Sequence, residues 1–371
     1  MRREPFCSQY VINGVPGELT PAEILDAVCE KPCLCQEAAP VIVDEVEEPN
    51  PQPCPFDASR QESYFSLVTD SRKKFSFAFA GTCTRSAVAS CLLDMLWRKG
   101  NFRLGDLCVD AMWKWTLSPV GAAAAFYESV QGIADYLDSL GLKIGSYSFE
   151  DSPRCDLELK AALSGDALQD DADIFVREAF RSKNPVIEDA RACPGVFVPD
   201  PQSWIIYIPF ETSEFRLGGS LLAQSLAVGG GVTPSFSDPD YFMDCYEVLR
   251  ELVEDGIVLS GATVGDGGMI RAASGMCSPL AGFPMDITDI MSAYQEKDSV
   301  RILFSEVPGV LIQIRDMDFD YLDAELLLQD VAYYPLGHPD MSGKGVSVRY
   351  GAKSGIQTIL ESLLQNAEGE D

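Results

Sequence analysis

The spacing of apolar positions predicts helices and a strand in the first part of the chain. Over residues 122–140, apolar side chains recur three and four positions apart, which is typical of one face of an amphipathic helix. Gly141 ends this predicted helix, and residues 142–148 are predicted to form a strand. Thr20-Pro21-Ala22-Glu23 forms a capping box with proline at the first helical position, which predicts a helix reaching about residue 29.

The second half of the chain alternates between short β-branched or aromatic runs and segments with helical periodicity. The predicted strands are 195–198, 204–208, 257–260, 310–314, 331–336 and 346–350. The predicted helices are 86–97, one that opens at Gly218-Gly219-Ser220, 241–254, one that follows Asp266-Gly267-Gly268, 322–329 and 356–364. This alternation predicts mixed sheets covered by helices, an α/β or α+β fold.

Two polar stretches interrupt the pattern. Residues 36–57 are acidic and broken by prolines, which is typical of a surface loop or linker. Residues 151–193 are also polar and acidic, and we interpret them as an inserted surface segment that carries short helices.

The charge balance narrows the classes of partner. The 371 residues include 28 Lys and Arg against 57 Asp and Glu, a formal net charge of −29. Proteins that bind nucleic acids or anionic membranes do so through a surplus of Lys and Arg, which this chain lacks. Neither is therefore an expected partner. Basic proteins are the partners that such a surface favours.

Cysteine usage and hydropathy indicate an intracellular protein. The 12 cysteines are scattered through apolar surroundings in a long chain, which favours reduced thiols over a disulfide framework. The cluster Cys29, Cys33 and Cys35 lacks the spacing of a zinc site. No apolar run is long enough for a membrane span, and no signal peptide is expected behind Met1-Arg2-Arg3.

Two glycine turns stand where the chain enters a predicted helix. Gly218-Gly219-Ser220 opens one helix, and Gly265-Asp266-Gly267-Gly268 follows an apolar strand and opens another. Such turns can present free backbone N–H groups to a phosphate at the positive end of a helix. The alternative, which we weight about two to one on the chemistry of lone Gly-Gly pairs, is that Ser220 and Asp266 only cap their helices.

The order of these motifs resembles the C-terminal lobe of formylglycinamidine ribonucleotide (FGAM) synthase, a relative of aminoimidazole ribonucleotide synthetase. The resemblance covers 217–224, 237–239, 256–260, 265–268 and 303–314, and extends more weakly to 107–148. It implies the second synthetase-like unit of the large form of that enzyme, or a degenerate relative such as the tegument proteins of gammaherpesviruses.

The resemblance also implies a division of the chain into two lobes. Residues 1–150 would form an N-lobe with a mixed sheet that pairs with a second copy or another synthetase-like unit. Residues 151–193 would be the acidic insertion, and 194–371 an α/β C-lobe. The implied reaction is an ATP-dependent amidation in purine biosynthesis, which needs Mg²⁺ and donors to phosphoryl oxygens.

The sequence departs from the family pattern at the chemically active positions. The family places His, Asp and Ser where this chain has Ala262, Thr263 and Gly265. A family Gly-Lys-Asp-Ser segment is Gly-Ser-Tyr-Ser here, which leaves Ser148 as a vestigial phosphate ligand. Asp266 and Glu306 remain at positions where the family could hold a metal, and the single histidine is His338.

Three hypotheses remain open. The first is a catalytically degenerate FGAM synthase-like protein, without a cofactor, that acts by binding other proteins. The second is an FGAM synthase subunit, or an auxiliary unit that binds Mg-ATP or ADP, and needs partner domains. The third is a domain excised from a longer protein, although Met1 and the acidic tail 367–371 are consistent with natural ends.

Overall fold

The computed structural model describes residues 4–29, 38–45, 56–164, 187 and 190–349. The helices are α1 (Glu4–Cys7), α2 (Pro21–Asp26), α3 (Gln61–Asp70), α4 (Ala80–Leu93), α5 (Ala122–Ser139), α6 (Leu221–Ser225), α7 (Pro239–Glu254), α8 (Gly268–Met276), α9 (Thr288–Ala293), α10 (Ser299–Phe304) and α11 (Phe319–Leu328). The strands are β1 (Tyr10–Ile12), β2 (Val15–Pro16), β3 (Val41–Val43), β4 (Leu107–Trp115), β5 (Lys143–Asp151), β6 (Asp156–Leu163), β7 (Trp204–Pro209), β8 (Val258–Val264), β9 (Phe283–Asp286), β10 (Gly309–Ile314), β11 (Tyr334–Gly337) and β12 (Val346–Arg349).

The N-terminal lobe is a three-stranded sheet, in the order β5-β4-β6, covered by α4 and α5. The central strand β4 pairs parallel with β5 and antiparallel with β6. Its inward side chains include Trp113 and Trp115, which are buried and donate their indole N–H groups to Ser129 Oγ and to the backbone oxygen of Ala122. Both indole rings are therefore buried with their N–H groups hydrogen-bonded inside the core.

The C-terminal lobe is built on an antiparallel sheet in the order β11-β7-β10-β8. Alternate residues of β10 face opposite sides: Val310 and Ile312 join the core formed with α7, α11 and the N-lobe. Leu311 joins the second core, formed with α8, α10 and β9. Because both faces of the sheet are covered, β10 is buried along its whole length, and its one polar side chain, Gln313, is hydrogen-bonded to Ser203 Oγ and to the backbone of Val198.

This mixed α/β architecture confirms the predicted fold class. The capping box at Thr20 is present, with Glu23 N bonded to Thr20 Oγ1 and Thr20 N bonded to Glu23 Oε2. The predicted helices 122–140 and 241–254 and the strands 204–208 and 310–314 agree with α5, α7, β7 and β10 to within a few residues.

Four element predictions need correction or stay open. Residues 156–163 form β6 within the N-lobe sheet, not part of a surface insertion, since Leu157, Leu159 and Ala161 face the core while the residues between them face outward. Residues 195–198 are irregular rather than a strand, and 41–43 form β3 inside the predicted loop 36–57. The predicted helix 356–364 lies outside the described residues.

Eight of the described cysteines are free in the structure, whereas Cys7 is disulfide-bonded, which corrects the prediction of reduced thiols at that position. Across the described ranges, none of the helices is both long and apolar enough to cross a membrane.

Candidate functional site

The first glycine turn is packed too tightly against its neighbours to be an open anion cradle. Ser220 is the N-cap of α6, and its hydroxyl accepts a hydrogen bond from the backbone N–H of Ala223 at 3.2 Å. A Cβ on Gly218 would lie 2.5 Å from the backbone oxygen of Gly231, so only glycine allows the two backbone segments to approach here. The capping interpretation is thus realised at Ser220.

The second turn follows β8 and opens α8. Gly267 is the N-cap and Gly268 the first helical residue, and both have positive φ, +84° and +73°. A Cβ on Gly268 would lie 2.6 Å from the backbone oxygen of Leu303, so this helix start is pressed against the end of α10. Asp266 is therefore not the N-cap of α8, which corrects that alternative.

Glu306 joins the two turns. It follows α10, is 5% exposed, and its Oε1 accepts hydrogen bonds from the backbone N–H groups of Leu221 and Gly267, both at 2.8 Å. Backbone N–H groups at a helix start are the donors that commonly bind a phosphate. In this structure an internal carboxylate binds them, and it lies at the positive ends of both helices.

Lys73 supplies the counter-charge to this carboxylate. Its Nζ lies 2.5 Å from Glu306 Oε2 and 3.5 Å from Asp266 Oδ1, and its side chain is 13% exposed. Burial lowers the pKa of Lys73, but the carboxylates of Glu306 and Asp266 outweigh that effect and hold the pKa above its ordinary value. Lys73 is therefore a permanent cation that contacts both carboxylates of the predicted metal site.

This donor set does not fit a divalent cation. Both oxygens of Glu306 already have partners, and an ammonium contacts Asp266 as well. Among the described residues, no group of three or more His, Cys, Asp or Glu side chains could hold a metal ion. Mg²⁺ requires near-octahedral oxygen ligation, which two already engaged carboxylates do not offer.

A cleft of about 630 Å³ opens beside this ion pair, between the two lobes. Its walls come from α4, β6, the end of β8 and residues 73–75. Within the described ranges, the charged side chains that line it are four basic and four acidic: Lys73, Lys74, Arg98, Lys160, Asp94, Asp156, Asp266 and Glu306. Burial raises the pKa of the Cys83 thiol in this wall, with the charge of Lys73 opposing the shift, so Cys83 is a protonated thiol at neutral pH.

The end of β8, where the family carries proton-transferring side chains, is filled by an aromatic ring. Trp97 packs against Gly261, where a Cβ would lie 2.2 Å from a ring atom. The indole N–H of Trp97 donates to Thr263 Oγ1 at 2.9 Å, and Thr263 in turn donates to Asp94 Oδ1 at 2.6 Å. Thr263 therefore links the lobes through a neutral hydroxyl.

The structure brings some of the predicted site residues together and separates others. Gly265, Asp266 and Glu306 line the cleft. The turn at Gly218-Gly219-Ser220 is joined to them through Glu306 at Leu221. Ser148 lies on β5 opposite Met112, and it is not among the residues lining the cleft.

His338 also lies away from the cleft. Its Nδ1 is 3.0 Å from the backbone oxygen of Ser203, and its ring packs on Trp204 with centroids 4.0 Å apart. The sequence reasoning missed Lys73, which is separated from Glu306 by more than two hundred positions. The signal available was the basic run Arg72-Lys73-Lys74 in a chain with twice as many acidic as basic residues.

The fold and site define a mixed α/β protein in which the starts of α6 and α8 converge on Glu306 beside a cleft. No family model matches the chain. In sequence it is similar to the phosphoribosylformylglycinamidine synthase of Drosophila melanogaster, with 24% identity over 301 residues that cover 76% of this chain and 21% of that protein. The human phosphoribosylformylglycinamidine synthase is 23% identical over 289 residues, covering 75% of this chain and 20% of that protein.

Two solved structures share the fold. Thermotoga maritima PurL complexed with FGAR has a TM-score of 0.51 at 14% identity, covering 75% of this chain and 42% of that chain. The same protein complexed with AMPPCP has a TM-score of 0.50 at 12% identity, covering 80% of this chain and 49% of that chain. The chain is thus similar in sequence to phosphoribosylformylglycinamidine synthases, the similarity that its motif order predicts, and it spans about a fifth of the length of the curated relatives it matches.

Proposed function

We propose that this chain is a non-catalytic FGAM synthase-like unit that acts by binding other proteins. The observation that carries the proposal is the engagement of Glu306 by Leu221 N, Gly267 N and Lys73 Nζ. An internal anion and an internal cation stand where phosphoryl transfer would need a substrate phosphate and a metal.

The chain's one histidine does not line the cleft, and the cleft carboxyl whose pKa burial raises, Asp94, already accepts a hydrogen bond from Thr263. An amidation of the FGAM synthase type moves protons to and from nitrogen and oxygen, and it needs a group that titrates near neutral pH. His338 is packed on Trp204, away from the cleft, and Thr263 is a neutral hydroxyl bonded to Asp94. Cys83, the thiol nearest Lys73, has a raised pKa.

The outward face of the N-lobe sheet supports the protein-binding part of the proposal. Across β4, β5 and β6 this face carries charged and hydroxyl side chains in cross-strand register. Lys114 lies 2.5 Å from Glu158, and Ser146 donates to Asp110 at 2.7 Å. A second synthetase-like unit with complementary charges could pair with this face, either as another copy or as a different chain.

An amidation assay tests the catalytic part. The purified chain is incubated with Mg-ATP, FGAR and an ammonium salt, and both ADP and amidated product are followed, with an FGAM synthase as positive control. We expect neither product to exceed the no-enzyme background. Stoichiometric formation of ADP and product, lost in Glu306→Gln, would contradict the proposal.

A nucleotide-binding auxiliary unit is the second candidate, favoured by the cleft itself. Lys74, Arg98 and Lys160 line it in addition to Lys73, which makes it locally neutral in a chain of net charge −29. If the cleft binds ADP, Lys160→Met should weaken binding about tenfold, whereas Lys114→Met, in the same sheet but not among the residues lining the cleft, should not. Equilibrium dialysis with labelled ADP distinguishes the two candidates, because the first predicts no saturable binding.

A further inference from the structure

The helix α11 carries a second apolar face that nothing covers within the described part of the chain. Its inner face, Leu322 and Leu326, is buried in the core beneath α7. The outer positions Met317, Tyr321 and Leu328, together with Leu327, are 82%, 44%, 77% and 68% exposed. Met317 lies in the 3₁₀ turn Asp316–Asp318 that leads directly into α11, and together with Tyr321, Ala324 and Leu328 it follows the spacing of one helix face; we name these four residues with Leu327 the outer stripe.

A helix that is apolar on both faces is ordinarily buried on both. Isolated apolar residues on a surface need no explanation, but a continuous stripe over three helical turns is typical of a binding site. The stripe extends over about 16 Å, which is enough to contact three turns of a partner helix.

The surroundings of the outer stripe are acidic. Between residues 315 and 330 the chain carries six carboxylates and one basic residue, Arg315, which pairs with Asp318 at 3.2 Å. We name these six carboxylates the acidic rim: Asp316, Asp318, Asp320, Asp323, Glu325 and Asp330. The charges of Glu325, Asp255 and Glu251 raise the pKa of Tyr321, which lies in the stripe, so their field reaches it.

We propose that the outer stripe and acidic rim bind a basic amphipathic helix of a partner protein. The apolar face of that helix packs on the stripe, and its Lys or Arg residues pair with the rim. The inference deepens the proposed function by naming a surface and a partner chemistry. A second copy is disfavoured, because it would bring two acidic rims and two chains of net charge −29 together. The same charge disfavours an anionic lipid surface.

The test uses two fluorescein-labelled 18-residue helical peptides with identical leucine stripes, one flanked by lysines and one by glutamates. Anisotropy is measured on the full chain, on the double variant Tyr321→Gln/Leu328→Gln, and on Leu280→Gln, a control at a site that is 67% exposed outside the stripe. We expect the lysine peptide to bind the wild-type chain. The double variant should weaken this binding at least tenfold, the control less than twofold, and the glutamate peptide should bind at least tenfold more weakly than the lysine peptide.

Equal binding to the double variant and the control would mean unspecific charge attraction and would overturn the proposal. It would also be overturned if sedimentation showed a dimer that the double variant dissociates, or if a peptide of residues 350–371 displaced the lysine peptide. Those results would assign the stripe to a second copy or to the chain's own tail. None of these readouts depends on nucleotide or turnover, so amidation activity would refute the proposed function without affecting this one.

Discussion

The buried pair between Lys73 and Glu306 should be strongly coupled, and a double-mutant cycle measures this coupling directly. The substitutions are Lys73→Met and Glu306→Gln, alone and together. Gln keeps an oxygen that can accept from Leu221 N and Gly267 N, so the change removes the charge but not the acceptor. Since the pKa of Lys73 is raised, its stabilising contribution is fully present below its ordinary value of 10.5, and the cycle is measured at pH 7.

The expected coupling free energy between Lys73 and Glu306 follows from the distance between their charges and from their burial. Two unit charges about 3 Å apart attract by about 5 kcal/mol at an effective dielectric constant near 20, and partial desolvation cancels a share of this. We expect a coupling free energy of about 3 kcal/mol in urea unfolding. Lys73→Met, which leaves the buried Glu306 carboxylate without a cation, should destabilise the chain by about 3 to 5 kcal/mol, and Glu306→Gln by less, because Lys73 keeps its contact with Asp266.

The chain provides a matched control for this cycle. Lys114 and Glu158 have the same 2.5 Å separation, but their side chains are 33% and 48% exposed. Water screens that pair, so the cycle Lys114→Met/Glu158→Gln should give a much smaller coupling free energy than the cycle at Lys73 and Glu306. If the coupling between Lys73 and Glu306 did not exceed that of the surface pair, the argument for a built-in ion pair would be wrong.

Two further predictions test the packing and the electrostatics of the lobes. Gly261→Ala should destabilise the chain by about 2 to 3 kcal/mol, because its Cβ would lie 2.2 Å from the ring of Trp97. Gly275→Ala in α8, with no atom near the added Cβ, should stabilise the chain by about 1 kcal/mol in urea unfolding. A lower free energy of unfolding for both variants would refute the reasoning. Burial raises the pKa of Glu211 above its ordinary 4.5, so the ionised form is penalised in the folded state. The stability of wild type relative to Glu211→Gln should therefore fall as pH rises above 4.5, and a flat or rising difference between their urea midpoints would contradict this.

The sequence allowed prediction of those elements whose causes are local. The capping box at Thr20 and the stripe of α5 depend on residues a few positions apart, so their patterns are visible in the chain. Strand β6 was missed because its outward residues, Asp156, Glu158 and Lys160, are charged and make the segment resemble a polar loop. Its inward residues are buried by β4 and α4, which are distant in sequence, so their burial is not visible in the local pattern.

The candidate site was only half predictable for the same reason. The glycine turns and Glu306 could be located by resemblance, but their mutual contact depends on how α6, α8 and α10 converge. Lys73 belongs to a segment without a recognisable motif, and its role follows from a contact that no local pattern encodes. The two predicted glycine turns, Asp266 and Glu306 therefore lie close together in the structure, Ser148 lies elsewhere on β5, and Lys73, which forms an ion pair with Glu306, was not predicted.

The binding of Mn²⁺ with ATP tests the central claim most directly, because it probes the cation and the triphosphate together. The electron paramagnetic resonance spectrum of Mn-ATP is recorded with and without an equimolar amount of the chain. If Glu306 and Lys73 occupy the phosphate and cation positions, the chain should leave the Mn-ATP spectrum unchanged. A stoichiometric change in the spectrum that Glu306→Gln abolishes would show that the cleft still binds the metal nucleotide, and would contradict the account.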